Sequence, residues 1–289
     1  MSGCINRFKK AYKNLHIQIV QWQNRPMLII EISFTSSTLK NRAQQLSEKL
    51  QLDLRSDASA TYDYLLELSE SGLSLVPSAD KGYGSIQCDF AAGTHSHRRR
   101  FGGGNGQSIA KAIGVSGKFS PRVLDLTAGM GGDGFVLATL GCSVTLIERN
   151  PIVHCLLADG LERAVISADD DSELREIINR INLVEANSAD FLQGDDSGLA
   201  CVDVVYLDPM FPERKKSAKV KKQMQAFHGI VGTDSDADGL LALALDVATY
   251  RVVVKRPAGA NHLADRKPSY SLEGKSTRYD IYTLKKLPS

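Results

Sequence analysis

Three acidic residues, Asp125, Glu148 and Asp208, each close a short apolar run, and a glycine-dense loop follows the first of them. That stretch reads Arg122-Val123-Leu124-Asp125-Leu126-Thr127-Ala128-Gly129-Met130-Gly131-Gly132-Asp133-Gly134. Glycines permit positive φ and let a ligand come close to the backbone. The helical-looking Phe135–Leu140 behind them presents unpaired N–H groups at its start. Gly129, Gly131 and Gly134 satisfy G-x-G-x-x-G, a pattern that alone also marks a plain turn. Glu148 stands at the end of Val144–Ile147, where a carboxylate can hold ribose hydroxyls.

The sign of the charge separates two readings of the loop. A nicotinamide-binding loop holds a pyrophosphate, and its first glycine follows the strand at once. Here Asp125 ends the strand, well ahead of Gly129. A carboxylate there repels phosphate and attracts a ligand carrying an α-amino group and a sulfonium, which is S-adenosylmethionine. The third acidic residue opens Asp208-Pro209-Met210-Phe211. Proline stiffens such a turn. The carboxylate and nearby carbonyls can accept hydrogen bonds from an exocyclic amine, pushing electron density back onto its nitrogen. Phe211 can stack on a nucleobase, an interaction worth about 1–3 kcal/mol. The catalytic candidates are therefore Asp208, Pro209 and Phe211.

Basic residues cluster in two places. One is His95-Ser96-His97-Arg98-Arg99-Arg100-Phe101-Gly102-Gly103-Gly104, in which Arg98, Arg99 and Arg100 suit phosphates and also suit a plain basic linker. The other lies between 214 and 222 and includes Lys215 and Lys216; it follows the Asp208 turn directly, which favours a phosphate-backbone contact. Lys255-Arg256-Pro257 adds charge to the same edge. His95 and His97 have no cysteine or carboxylate spaced to join them, so no metal is expected. Asp234, Asp236 and Asp238 lack the glycine and glutamate spacing of a calcium loop and read as a helix start.

The elements that must position these groups follow from composition and periodicity. The chain has 289 residues, 43% hydrophobic and 24% charged, which suits one large or two modest globular domains. Its net charge of +2 is too small to demand a nucleic-acid partner, so any basic surface is local. Five cysteines, none spaced as C-x-x-C, suit reduced thiols. No apolar run approaches the roughly 20 residues of a membrane span, and no apolar signal core opens the chain, so a cytoplasmic protein away from membranes is expected.

Residues 1–94 read as a small α+β domain, with strands at Leu15–Val20, Met27–Phe34, Tyr64–Leu68, Leu73–Val76 and Ser85–Phe90, and a helix after Thr38. Residues 95–289 alternate strand and helix. The strands are expected at Arg122–Leu126, Ser143–Glu148, Leu183–Ala186, Val202–Leu207, Val252–Lys255 and Tyr279–Leu284. Asn150 should cap a helix with Pro151 in its first turn. Such alternation builds a mostly parallel, Rossmann-like α/β sheet whose strand-end loops gather along one edge. Asp125, Glu148, Asn187-Ser188 and Asp208 should converge there.

The same residues resemble a known family. His97–Gly104, Asp125–Asp133, Glu148-Arg149-Asn150-Pro151, Val204–Pro212 and Val252–Pro257 are similar to the bacterial ribosomal RNA small-subunit methyltransferase J family, over roughly residues 85–285. The resemblance implies a class I S-adenosylmethionine-dependent methyltransferase with a seven-stranded sheet. It also implies methylation of guanosine N2 in small-subunit (16S) ribosomal RNA, on the naked RNA or the 30S subunit; no obligate protein partner is implied. The family's donor contacts map onto Gly132-Asp133, Glu148-Arg149, Asn187-Ser188 and Asp208, joined by Asp125 and Gly129 from the loop itself. Where the family pattern places arginine before the aspartate this chain has Gly132, which leaves only backbone; where it places two serines, this chain has Asn187-Ser188. Residues 1–35 fall outside the pattern. Rival readings are a DNA amino-methyltransferase, a dinucleotide-dependent oxidoreductase and a non-catalytic RNA-binding module.

Overall fold

The structure is a computed structural model that describes residues 28–56, 61–91, 107–194, 202–210, 230 and 236–288. The candidates Arg98, Arg99, Arg100, Phe211, Lys215 and Lys216, and the expected strand Leu15–Val20, lie outside the described residues.

Two sheets organise the chain. The smaller has the order β1-β2-β3, from β1 (Ile30–Phe34), β2 (Tyr64–Ser69) and β3 (Gly72–Pro77), with β1 parallel and β3 antiparallel to β2. Helix α1 (Lys40–Leu50) lies against it, with Ala43, Leu46 and Leu50 on its inner side. The larger is seven-stranded, in the order β6-β5-β4-β7-β8-β10-β9. Its strands are β4 (Arg122–Asp125), β5 (Ser143–Glu148), β6 (Ile181–Glu185), β7 (Val204–Leu207), β8 (Arg251–Pro257), β9 (Tyr270–Glu273) and β10 (Thr277–Thr283). Only β10 runs against its neighbours, pairing antiparallel with both β8 and β9.

Alternation along each strand assigns side chains to two layers, as a sheet buried on both faces requires. Val123, Val144, Leu146, Val204, Tyr206, Val253 and Ile281 point into one core. There they meet α2 (Ser108–Ile113), α3 (Gly132–Thr139), α4 (Pro151–Ser167) and α5 (Ser172–Asn179). Leu124, Ile147, Val205, Leu207, Val252, Val254 and Tyr282 point to the other face, against α6 (Ser188–Gln193) and α7 (Ala237–Val247). The strand reversal falls at β4, between β5 and β7, and ligands of such sheets bind at that point.

Helix α4 joins the two sheets. Its Leu157 and Ala164 belong to the core of the large sheet, while Ile152, Cys155 and Leu156 fill the core of the small one. Asn150 caps it, its Oδ1 accepting from the backbone N–H of Ile152 (3.0 Å) and Val153 (3.2 Å), with Pro151 first in the helix. The expected strand over Ser85–Phe90 is reduced to one bridge, Leu75 with Ile86. Beyond it Cys88 and Phe90 leave the small sheet for the core of the large one, where Phe90 stacks on Phe135 at 5.0 Å between centroids. The other described strands, and the helices after Thr38, the glycine loop and Asn150, follow the sequence-based expectation to within a few residues; α6 and β9 have no counterpart in it. Cys88, Cys142 and Cys155 are free and buried. Among the described residues no helix is long and apolar enough to cross a membrane.

Asp159, buried on α4, ties the sheets together. It accepts from Arg42 Nη2 of α1 (3.0 Å), from the backbone N–H of Leu73 in β3 (2.9 Å) and from Arg163 Nε (2.8 Å). Arg163 also donates to the Cys88 carbonyl. Both arginines keep access to water, so their release costs less than a wholly buried pair would. Asp159→Ala is expected to lower stability by about 2 kcal/mol in urea unfolding, chiefly through the stranded Leu73 N–H and the lost charged hydrogen bonds. A midpoint equal to the parent's would show that the sheets do not lean on this carboxylate.

Candidate active site

Strand β4 stops at Asp125, and the chain turns because its next groups bond elsewhere. Leu126 N–H reaches the carbonyl of Tyr206 (3.1 Å) and Ala128 N–H that of Ile147 (3.1 Å), so the turn is stitched to the strands on either side. Gly131, at φ 71°, precedes α3 without a side-chain cap. A Cβ on Gly131 would lie 2.7 Å from Leu157 Cδ1, and one on Gly134 would collide with Leu146. These two glycines press the loop and helix onto the sheet. Gly129 differs: a Cβ there would meet nothing within 4 Å, because this side of the loop looks onto open space.

That space is a crevice of about 410 Å³ at the carboxyl ends of the strands. Its walls include Asp125, Thr127, Gly129, Gly132, Asp133, Glu148, Arg149, Ser188, Tyr206, Asp208, Pro209, Asp236 and Lys255. The sequence-derived candidates Asp125, Gly129, Gly132, Asp133, Glu148, Arg149, Ser188, Asp208 and Pro209 are thus brought together. Asn187 is not on the wall. Its Oδ1 caps α6, accepting from Ala189 N–H (2.9 Å) and Asp190 N–H (3.3 Å). Ser188 donates through Oγ to the Leu126 carbonyl (2.6 Å), fixing α6 to the β4 turn.

Each carboxylate is held differently. Glu148 accepts from Gly129 N–H through Oε2 (2.9 Å) and from Asn150 N–H through Oε1 (2.7 Å), so it pins the glycine loop to the start of α4. Asp125 is 2% exposed and accepts through Oδ1 from Thr127 N–H (3.0 Å) and Thr127 Oγ1–H (3.4 Å). Thr127 Oγ1 accepts in turn from Asp208 N–H (2.6 Å), joining the ends of β4 and β7 through one hydroxyl. Asp236 takes both its bonds from Arg149 Nη1 (3.0 and 2.8 Å).

Lys255 differs most from its sequence reading. It was expected on the RNA-facing edge, but its ammonium turns into the crevice and donates to Asp133 Oδ2 (2.6 Å) and Asp208 Oδ2 (2.8 Å). The register explains this. Leu207 pairs with Val254 in β8, so Asp208 and Lys255 come next on neighbouring strands, and Lys255 shares a face with Val253 and the α3 layer. Tyr206, wholly buried, donates from its hydroxyl to the same Asp133 oxygen (2.7 Å). Thr127, Tyr206 and Asp236 belong to the site and were not picked out as site residues from the sequence.

Burial pushes the Asp125 carboxyl up to about 7, partly opposed by the hydrogen bond from Thr127 N–H and reinforced by Asp133 and Asp208. Burial works against the charge on Lys255 as well, but the two carboxylates outweigh it and hold its pKa above the ordinary lysine value. Burial and the neighbouring Asp133 raise Tyr206, so its hydroxyl stays a donor. For Asp125 the folded state keeps a proton that the unfolded chain has released between an ordinary aspartate pKa and about 7. Protons bound are then fewer in the unfolded state, and stability falls as pH rises through that window. Asp125→Asn is expected to flatten this slope and to gain most over the parent at or above pH 7, as read from urea unfolding at a series of pH values; parallel curves would refute it.

The comparisons with known proteins agree with this geometry. A family profile described as "Putative SAM-dependent methyltransferase" matches residues 45–284. The protein named ribosomal RNA small subunit methyltransferase J in Cellvibrio japonicus is 52% identical over 261 residues, covering 88% of this chain and 97% of its own length. Its namesake in Pseudomonas aeruginosa PAO1 is 48% identical over 258 residues, covering 89% of this chain and 96% of its own. A solved structure titled as a SAM-dependent methyltransferase from Neisseria gonorrhoeae superposes with a TM-score of 0.67 at 34% identity, over 88% of this chain and 95% of that one. A glycine loop behind a buried aspartate, strand-end carboxylates around one crevice and these similarities along nearly the whole chain lead to one assignment: the chain belongs to the ribosomal RNA small subunit methyltransferase J family, whose methyl donor is S-adenosylmethionine.

Proposed function

We propose that this chain methylates the exocyclic N2 of a guanosine in small-subunit ribosomal RNA. The observation that carries the reading is the convergence of Asp125, Glu148 and Asp208 on one crevice beside the open side of Gly129. That donor set fits a ligand with a cationic end and a ribose, and a pyrophosphate would face carboxylates on several sides. S-adenosylmethionine, when bound, supplies an electrophilic methyl group on a sulfonium.

In this reading Asp125 and the loop through Gly132-Asp133 hold the methionine end, where the uncapped start of α3 offers N–H groups to a carboxylate. Glu148 accepts from the ribose hydroxyls while keeping its two backbone bonds, and Arg149 and Ser188 complete the donor's walls. Asp208, stiffened by Pro209, orients the acceptor amine. The acceptor nitrogen would take the methyl group as its bond to sulfur breaks, leaving the electron pair on sulfur, and the amine proton would pass to solvent. Placing the amine in line with the methyl group can supply roughly 7–11 kcal/mol of the barrier reduction. Phe211 stacks on the base, and Arg98, Arg99, Arg100, Lys215 and Lys216 grip the RNA backbone. We further assign residues 1–94 to a domain with an RNA-recognition role, residues 95–289 to the methyltransferase domain, the cytoplasm as the compartment, and the 30S subunit or its RNA as substrate.

The test is labelled methyl transfer to naked small-subunit RNA and to assembled subunits. The parent should modify at least one of them, with a rate that falls steeply as salt rises, and should ignore DNA at matched salt. Failure on both substrates, or preference for DNA, overturns the reading. Asp208→Ala should lower turnover by about 100-fold or more while S-adenosylhomocysteine still raises the melting temperature. Affinity for S-adenosylmethionine by calorimetry should weaken as pH drops below about 7, because Asp125 takes up a proton in competition with the cation.

A further inference from the structure

We infer that Lys255 is a positioning residue for methyl transfer: its ammonium fixes the Asp208 carboxylate and ties it, through Asp133, to Tyr206 and the first turn of α3. This rests on reading Asp208 as the group that orients the acceptor amine. Three hydrogen bonds make the link. Lys255 Nζ donates to Asp208 Oδ2 (2.8 Å) and Asp133 Oδ2 (2.6 Å), and Tyr206 Oη donates to the same Asp133 oxygen (2.7 Å). The lysine stem is not a swinging arm. It grows from β8 one place beyond Val254, which pairs with Leu207, so the pleat itself directs it towards Asp208. Its side chain is 25% exposed.

The charges around it show why a cation is needed there. Asp125 from β4, Asp133 from α3 and Asp208 after β7 face one crevice. Glu148 and Arg149 come from the end of β5, and Asp236 from just before α7. Glu148 is engaged by backbone N–H groups, and Arg149 is turned to Asp236. Among the described residues, Lys255 is the cation set directly against Asp133 and Asp208. Like charges at such spacing disfavour double ionisation. With the ammonium removed, one carboxylate of the pair takes up a proton more readily, and a protonated Asp208 is a weaker acceptor for an amine N–H. Its neighbours hold Lys255 firmly protonated, so it serves as a counter-ion and not as a base.

The experiment uses the full chain, Lys255→Met, Lys255→Arg, Asp208→Asn and the Lys255→Met/Asp208→Asn double variant. Methyl transfer to small-subunit RNA is followed as a function of pH, with S-adenosylhomocysteine binding by calorimetry and thermal melts. In Lys255→Met, kcat should fall by about tenfold or more, while KM for RNA and the Kd for S-adenosylhomocysteine change by less than about threefold. The acid limb of the kcat profile should move to higher pH, because carboxylates without their cation hold protons more tightly. Lys255→Arg should restore that limb and much of the rate. The double variant should be no slower than Asp208→Asn alone, since both changes remove one device.

A parent-like rate and acid limb in Lys255→Met, beside an inactive Asp208→Asn, overturns this inference and leaves the Asp208 reading standing. A loss in Lys255→Met that comes with lost S-adenosylhomocysteine binding and no rescue by arginine also overturns it, because the role is then structural. Should Lys255→Met not fold, Lys255→Arg decides alone: a displaced acid limb there overturns the inference. Undiminished turnover in Asp208→Asn defeats the underlying reading itself.

Discussion

Carboxylates crowd one margin of this sheet, and much of the local architecture exists to let them stay there. Asp125 sits at the end of a strand flanked on both sides, with almost no access to water. Burying an ionised carboxylate is costly unless hydrogen bonds or a cation offset the lost hydration. Among the described residues Asp125 has only the two donors of Thr127, and burial pushes its carboxyl up to about 7. Asp133 and Asp208 have a lysine, Asp236 has an arginine, and Glu148 has two backbone N–H groups. Each solution draws on a different element, so the site is only as well formed as the register of β4, β7 and β8 and the seating of α3 and α4.

Backbone shape and charge are linked through the loop. Gly131 and Gly134 have no room for a side chain because Leu157 and Leu146 press against them from the core. That packing sets the height of the loop above the sheet, and Glu148 then clamps Gly129 from the other side. The open face of Gly129 is what remains for a ligand. One glycine pattern thus contains two physical roles, close packing inwards and clearance outwards, and only the neighbours distinguish them.

Much of this was legible in the residues. Short apolar runs closed by acidic residues revealed β4, β5 and β7, and Asn150-Pro151 announced α4, because capping and proline act locally. The crevice followed from those strand ends. The sequence could not show where a long side chain points when its partners are far along the chain. Lys255 beside Arg256 looked like a basic edge; only the pairing of β8 with β7 turns it inwards. Asn187 caps α6 with its side chain, a role that any asparagine before a short helix can take. Helix α6 has six residues, too few to display a period, and β9 is a largely exposed edge strand of mixed polarity. Ser85–Phe90 has the apolar spacing of a strand, but only Ile86 stays with the small sheet, while Cys88 and Phe90 are drawn into the larger core.

The seating of α4 carries a further consequence. The helix begins three residues after Glu148, presents Ile152, Cys155 and Leu156 to one sheet and Leu157 and Ala164 to the other, and anchors β3 through Asp159. A rigid rod shared in this way acts as a lever. A displacement of the small sheet would act on the same helix whose start adjoins the Glu148 clamp on the glycine loop. Trimming either sheet away would leave the other side of this helix with an uncovered apolar flank.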